Sequence, residues 1–376
     1  MDQFTKVKLK NLFKRDRVFH DNILFKLHHQ VNFFIILAGV VFIFGENYLN
    51  GKAIVCQKGG TYANQYCWLH GTGHIHKDLA KDITGLCAMD QDEVTANKDR
   101  QTHYYLWLPF VLLICMGLVK LPRVLWKDLG DRGQLAGMVE KKTAEKIAAR
   151  FNKLKRKSQM YFMGFVFCEV LNIFATFLCF FILDQLLNGK FWTYGTDVNN
   201  YFSNRPTVNE LTQNPSLEIP NPMCGLFPTE VACNFCTGSI GGGCSDRQSI
   251  LCILSNNIFN QYFFLILWFW WVFLLFLSLL GLLYRAAQFC IPSFGRTVLS
   301  FKLSPIGQGH LVTNLDLKMS DYFLLGRLIR NLKGSVAEEV LRELMKMDRT
   351  GMKVELENVV TTDYDDTNKS GLCETD

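Results

Sequence analysis

The sequence predicts an all-α membrane protein, a four-transmembrane-helix bundle with disulfide-stapled extracellular loops of small β content and a helical cytoplasmic domain. Three observations carry that reading. Of 376 residues, 49% are hydrophobic and 13% aromatic, and the apolar residues gather into four runs long enough for an α-helix to cross a hydrocarbon core. Lys and Arg are unequally divided among the stretches between those runs. The thirteen cysteines concentrate in two of the same stretches.

The spans are expected at residues 31–49, 104–121, 161–183 and 262–284. A helix meets every backbone hydrogen-bonding demand within its own segment, which is why apolar runs of this length read as helices. The first thirty residues hold Lys6, Lys8, Lys10, Lys14, Arg15 and Arg17 and no short apolar core ending in small residues, so no cleaved signal peptide is expected. Orientation follows from the cations, because cytoplasmic segments retain an excess of Lys and Arg. Residues 1–30 carry seven, 120–160 twelve and 285–376 twelve, against six in 50–103 and three in 184–261. Both termini and the linker 122–160 are therefore predicted to be cytoplasmic, and 50–103 and 184–261 extracellular. Residues 285–353 read as a helical domain and 354–376 as a polar, acidic, disordered tail. The net charge of +6 sits beside the spans rather than on one globular face, which assigns it to topology and anionic membrane lipids and not to nucleic acid.

Eight cysteines fall in the two predicted outer loops, Cys56, Cys67 and Cys87 in the first and Cys224, Cys233, Cys236, Cys244 and Cys252 in the second. Disulfides persist in oxidising compartments, so this clustering agrees with an extracellular placement. Three and five are both odd, so complete oxidation requires at least one bridge between the loops. The CxxC-like spacing of Cys233, Cys236 and Cys244, with His70, His74 and His76 in the first loop, is also compatible with zinc. An oxidising setting favours bridges, and no metal or other cofactor is expected.

The segment Tyr104-Tyr105-Leu106-Trp107-Leu108-Pro109-Phe110 resembles the YYQWV signature of the innexin family, with Leu106 at the Gln position, and is followed by Leu121-Pro122-Arg123-Val124-Leu125-Trp126-Lys127. A second string is similar to innexins almost residue by residue: Phe227-Pro228-Thr229, Cys233, Leu251-Cys252-Ile253-Leu254, Asn257-Ile258-Phe259-Asn260 and Leu267-Trp268-Phe269-Trp270. Phe25-Lys26-Leu27-His28, Cys67-Trp68 and Ser320-Asp321-Tyr322-Phe323-Leu324-Leu325 extend the likeness across residues 1–347.

The resemblance implies a plasma-membrane gap-junction channel, built as a ring of eight copies that docks with the half channel of an adjacent cell and is open to co-assembly with other innexins. It implies inter-loop bridges among Cys56, Cys67, Cys233 and Cys252, paired as Cys56 to Cys252 and Cys67 to Cys233. Cys87, Cys224, Cys236 and Cys244 exceed the family pattern and suffice for two further bridges. It also implies an N-terminal segment (1–30) folded into the pore mouth, which makes Met1, Asp2, Phe4, Lys6, Lys8 and Leu12 pore-lining candidates. A ring of such lysines disfavours cations.

Inside the spans, Glu169 is a gating or structural candidate and is expected to hydrogen-bond a neighbour such as Asn172, because an unpaired buried charge is costly. Pro109 removes one backbone hydrogen bond and is expected to kink its helix. His28 and His29 read as interfacial. Near the C-terminus, Ser335 and Glu338 read as a capping box after a break at Gly334, with Val336, Val340, Leu341, Leu344 and Met345 facing the linker helix around Lys141 to Lys157. No P-loop or GxSxG elbow is present, and no enzymatic activity is expected. Two other functions share this topology: an undocked half channel releasing small molecules such as ATP, and a four-span adhesion or scaffold protein. Neither predicted outer loop contains an Asn-x-Ser/Thr acceptor with x other than Pro, which favours docking because a bulky glycan would obstruct it.

Overall fold

The computed structural model describes residues 21–49, 53–76, 87–89, 103–140, 143–205, 220–237, 246–303, 315 and 317–348. From the N-terminal side, α1 (Ile23–Leu49) leads through β1 (Val55–Cys56) to α2 (Gly60–His70), β2 (Ile75–His76) and β3 (Ala88–Met89). Next come α3 (Tyr104–Asp131), α4 (Gln134–Val139), α5 (Ala144–Lys155), α6 (Ser158–Leu186), α7 (Tyr194–Asn204) and α8 (Pro222–Leu226). Strands β4 (Glu230–Thr237) and β5 (Asp246–Ile253) precede α9 (Asn256–Cys290), which is followed by α10 (Pro292–Leu303), α11 (Met319–Ile329) and α12 (334–348).

The described chain is mostly helical, and α1, α3, α6 and α9 are long and apolar enough to cross a membrane. At 27, 28, 29 and 35 residues they exceed the roughly 20 residues that hydrocarbon alone requires. Each overruns the apolar run that marks it in the sequence, since helical hydrogen bonding does not stop where hydropathy does. Much of their surface is apolar and faces outward: Val41, Trp107, Phe167, Phe174 and Ile266 are each at least 60% exposed. Water would not tolerate that much exposed hydrocarbon, whereas lipid or a neighbouring subunit does. Three stretches are π-helical, Leu27–Asn32 and Gly45–Leu49 in α1 and Trp126–Asp131 in α3. The widened turns carry the buried polar residues His28, His29, Asn32, Asn47 and Asp131, in keeping with the tendency of such turns to occur at functional positions. His28 and His29 are thus inside the protein rather than interfacial, because α1 begins at Ile23, ahead of the apolar run.

Two compact units divide the chain. The loop unit takes the described residues of 26–121 and 171–278, and the terminal unit those of 1–25, 122–170 and 279–376. Each has its own core. In the loop unit, Ile36, Leu108, Leu183, Phe227, Phe264 and Trp271 belong to one buried cluster. In the terminal unit, Phe25, Trp126, Phe165, Phe323 and Leu325 belong to another, which also holds Ile147, Ala148 and Phe151 of α5 and Val340, Leu341 and Leu344 of α12. α12 begins at Gly334, so Ser335 lies within its first turn and does not cap it. Glu338 instead pairs with Arg342 one turn on, at 2.8 Å.

Close approach within the loop unit depends on Gly195 of α7. A Cβ there would lie 2.1 Å from the ring of Trp268, whose Nε1 donates to the Trp192 carbonyl at 3.1 Å and so cannot swing aside freely. Gly117 of α3 has nothing within 4 Å of the corresponding point. Gly195→Ala is expected to destabilise the protein by about 1–3 kcal/mol and Gly117→Ala to be neutral, as read by thermal unfolding in lipid nanodiscs.

Candidate functional site: stapled loops and a buried ion-pair cluster

The sheet of the loop unit has the order β1-β5-β4, with both pairs antiparallel. This arrangement brings the cysteines of distant segments together. Cys56 and Cys252 are direct partners across β1 and β5 and form a disulfide. Cys67, buried on α2, bonds Cys233 of β4, and Cys87, just before β3, bonds Cys224 of α8. The entry to α2 is shaped by Gly59, whose φ of +88° suits glycine, and where a Cβ would lie 2.5 Å from that of Ala63. Among the described residues, all three bridges join the 50–103 stretch to the 184–261 stretch. Of the four cysteines beyond the family pattern, Cys87 and Cys224 are bonded to each other, while the Cys236 side chain and Cys244 lie outside the described residues.

The sulfurs of Cys56, Cys67 and Cys252 lie within 4.8 Å of one another, so two staples pack side by side. All three sulfurs are consumed in disulfides and are not free to ligate a metal. No described histidine joins them. His70 packs on Tyr66 with ring centres 4.3 Å apart. His74 is drawn down to about 4, first by burial and then by the charge of Lys190, so it is neutral at physiological pH. The His76 side chain lies outside the described residues.

The signature segment at the start of α3 divides into two faces. Tyr104, Tyr105 and Leu108 are buried, while Trp107 and Phe110 are exposed. The Tyr104 hydroxyl accepts from Asn257 Nδ2 at 2.6 Å, and the same amide nitrogen reaches the Pro228 carbonyl at 2.6 Å. Tyr105 stacks on Trp68 at 4.5 Å and donates its hydroxyl to the Cys67 carbonyl at 3.2 Å. Both tyrosines therefore tie α3 to the stapled loops, Tyr105 directly at a disulfide-bonded residue.

Pro109 sits within α3, which remains helical through it. The missing N–H frees the carbonyl one turn back, and the structure shows what replaces it. Asn47 Nδ2 donates to the Tyr105 carbonyl at 3.2 Å, and Asn47 Oδ1 accepts from Asn256 Nδ2 at 2.7 Å. The Tyr48 hydroxyl donates to the Leu106 carbonyl at 2.8 Å. Asn47 thus links α1, α3 and α9 around the proline. Deeper in the same unit, His28 contacts Ser278 Oγ at 2.7 Å and Thr176 Oγ1 at 3.2 Å, and Trp271 Nε1 donates to Asn32 Oδ1 at 2.9 Å.

Among the described residues, the terminal unit holds the main concentration of buried charge. Glu169 of α6 accepts from Arg285 Nε at 3.0 Å and Nη2 at 3.3 Å, and from Asn22 Nδ2. Its partners are thus Arg285 and Asn22 rather than Asn172. The apolar run of the fourth span ends at residue 284, which leaves Arg285 outside it, whereas α9 continues to Cys290. Asp21 is buried and bridges Arg123 of α3 at 2.9 Å, and its carbonyl accepts from Arg330 Nη1 at 3.2 Å. Arg327 of α11 lies over the Phe165 and Phe323 rings at 4.3 and 5.0 Å. Burial, and then the Arg285 charge, lower it to about 10, so it stays cationic at neutral pH. Asp21 and Asn22, the first described residues of the chain and part of the N-terminal segment, take the Arg123, Arg330 and Glu169 contacts. Met1, Asp2, Phe4, Lys6, Lys8 and Leu12 lie outside the described residues.

A family model described as Innexin matches residues 21–347. The chain belongs to the innexin family. It is 28% identical over 362 residues to Innexin inx2 of Schistocerca americana, covering 90% of this chain and 96% of that one. It is 27% identical to Innexin inx2 of Drosophila melanogaster, with 90% and 94% covered, and 26% identical to Innexin shaking-B of the same organism, with 89% and 92% covered. Family and helices together make this innexin a multi-pass membrane protein and a gap-junction channel subunit. Innexins are channel proteins rather than enzymes.

Two cycles of substitution test the polar contacts of this innexin. Asn47→Ala is expected to cost about 1–3 kcal/mol by leaving the Tyr105 carbonyl and the Asn256 amide unsatisfied, and less alongside Pro109→Ala, where residue 109 regains an N–H and only the Asn256 contact is lost. An equal cost in both backgrounds counts against the assigned role. Arg285→Leu is expected to cost about 3–5 kcal/mol by stranding a buried carboxylate. Glu169→Leu costs more, because it also leaves Arg285 and Arg327 repelling each other. The double variant recovers much of the loss, as read by thermal unfolding.

Proposed function

We propose that this innexin forms a ring of identical subunits, eight by family resemblance, with a water-filled pore on the shared axis. The stapled loops are extracellular and both termini cytoplasmic, and two half channels dock between cells to pass ions and small metabolites. Heterologous contacts that close around one axis are the usual route to a central hole. The observation that carries the docking part is the triple bridging of the two loops. Loops already fixed by three covalent links lose little conformational freedom on meeting a partner, so more of the contact energy remains as affinity. The excess of Lys and Arg in 1–30, 120–160 and 285–376 supports the orientation, and the outward apolar faces of the long helices suit contacts with lipid and with other innexin subunits.

The N-terminal segment, with Met1, Asp2, Phe4, Lys6, Lys8 and Leu12, is assigned to the pore mouth on resemblance, and the Asp21 and Asn22 contacts supply it with a fixed root. Lumen-facing lysines repeated around the ring make the pore tolerant of anions. Paired cells expressing only this chain are expected to pass dye and current between them. Cys56→Ala with Cys252→Ala is expected to abolish coupling while leaving the protein at the membrane. Current in single cells without coupling between pairs supports an undocked half channel, and neither signal returns the adhesion or scaffold reading. Making Lys6, Lys8 and Lys10 neutral is expected to shift the reversal potential toward cation preference.

A further inference from the structure

A cavity of about 750 Å³ opens in the terminal unit between the end of α5 and the start of α11. Lys153, Lys155 and Arg156 line it from α5 and the following turn, and Lys318 lines it from the residue preceding α11. No lining residue is acidic. Ser158 and Ser320 also line it, both buried, with hydroxyl oxygens 2.8 Å apart. These serines belong to the first turns of α6 and α11, where backbone N–H groups have no partner within the helix and the helix dipole is positive. Asp321 is wholly buried, accepts from the Lys318 backbone N–H at 3.0 Å, and is not part of the lining.

Four cations, two hydroxyls and two helix starts around one cleft make a receptor for more than one phosphate. We propose that this cavity binds a multiply phosphorylated polyol, either free or as a phosphoinositide headgroup. Its volume suits such a molecule, and Arg and Lys are the side chains that hold phosphate oxygens with charge-assisted hydrogen bonds. The lipid source fits the position. Immediately after the lining residue Gln159, α6 exposes Met160, Met163 and Phe167, with Met160 77% exposed. A headgroup in the cavity therefore has its acyl chains beside the apolar side of a membrane-length helix. That lipid arm rests on the orientation proposed above, whereas binding of the free polyol does not.

Occupancy has a route to the rest of the terminal unit. α11 begins at the cavity and carries Arg327 over Phe165 and Phe323, and Arg330 just beyond its end reaches the Asp21 carbonyl. A phosphate held at Lys318 would hold α11 in place, and with it the root of the N-terminal segment.

The test uses the purified full-length protein. In detergent, where both faces are accessible, inositol trisphosphate is titrated directly. In nanodiscs, binding of fluorescent phosphatidylinositol bisphosphate is compared with phosphatidylserine at equal total charge. Wild-type protein is expected to bind trisphosphate in detergent, to prefer the bisphosphate lipid in nanodiscs, and to lose both as salt is raised. The Lys153→Gln, Arg156→Gln and Lys318→Gln triple variant is expected to weaken binding at least about tenfold. A control triple, Lys146→Gln, Arg342→Gln and Lys346→Gln, changes the same charge on the same unit and is expected to leave binding intact. Trisphosphate binding without lipid binding supports the site and assigns it to a free ligand. Lipid preference alone, if abolished by the triple variant, supports the site and assigns it to the membrane. Equal binding by the triple variant and wild type, with both eluting as folded assemblies, overturns the proposal, as does the absence of wild-type binding in both formats.

Discussion

A polar group inside a membrane-length helix has no water to fall back on, and several such groups in this innexin are answered by a side chain from elsewhere in their unit. The Tyr105 carbonyl, released by Pro109, is taken by Asn47. Glu169 is held by Arg285 and Asn22. His28 sits between Ser278 and Thr176. Hydrocarbon attracts the outer faces of the helices as well as it attracts one another's, so apolar contact alone discriminates poorly among packings. Directional polar pairs do discriminate, because a misplaced helix leaves a donor, an acceptor or a charge stranded. The arrangement of helices within each unit therefore depends on a small number of residues whose chemistry is atypical of a span.

The stapled loops extend that logic outside the helices. Tyr105 packs on Trp68 and bonds the backbone of Cys67, which is itself bonded to Cys233. A movement of α3 in the loop unit is thereby transmitted to covalently linked segments rather than absorbed by loose ones. One bridge closing a loop of more than a hundred residues restricts the unfolded chain by about 5 kcal/mol in chain-entropy terms. Later bridges close what are by then shorter loops and add less.

Much of this was legible in the residues. The four apolar runs located the long helices because hydropathy is what the membrane selects for. The odd numbers of cysteines in two loops made at least one bridge between them necessary for complete oxidation, and the two innexin-like strings pointed to the family over nearly the whole chain. Helix ends were less legible, since polar residues such as Arg285 and Asp131 continue a helix without any break in hydrogen bonding. That is why Arg285 was missed as the partner of Glu169. Pro109 predicted a lost hydrogen bond but not its replacement, because Asn47 is more than sixty positions earlier in the chain and nothing local marks it. Cys87 and Cys224 were visible as surplus cysteines, yet their pairing with each other depends on how α8 and the residues before β3 fold. His28 and His29 look like boundary residues until the start of α1 at Ile23 places them inside.

The three disulfides connect positions 196, 166 and 137 residues apart, which constrains how the chain can be made. In the proposed orientation, Cys56, Cys67 and Cys87 reach the lumen of the secretory compartment while their partners are still untranslated. At about 5–20 residues per second, Cys56 waits some tens of seconds for Cys252, through the insertion of further helices. Premature bonds among the three early thiols would have to be undone by exchange before the native set could form. Maturation of this innexin is therefore bound to the thiol-exchange capacity of its compartment, and a subunit cannot present a finished ectodomain until its fourth long helix is being inserted.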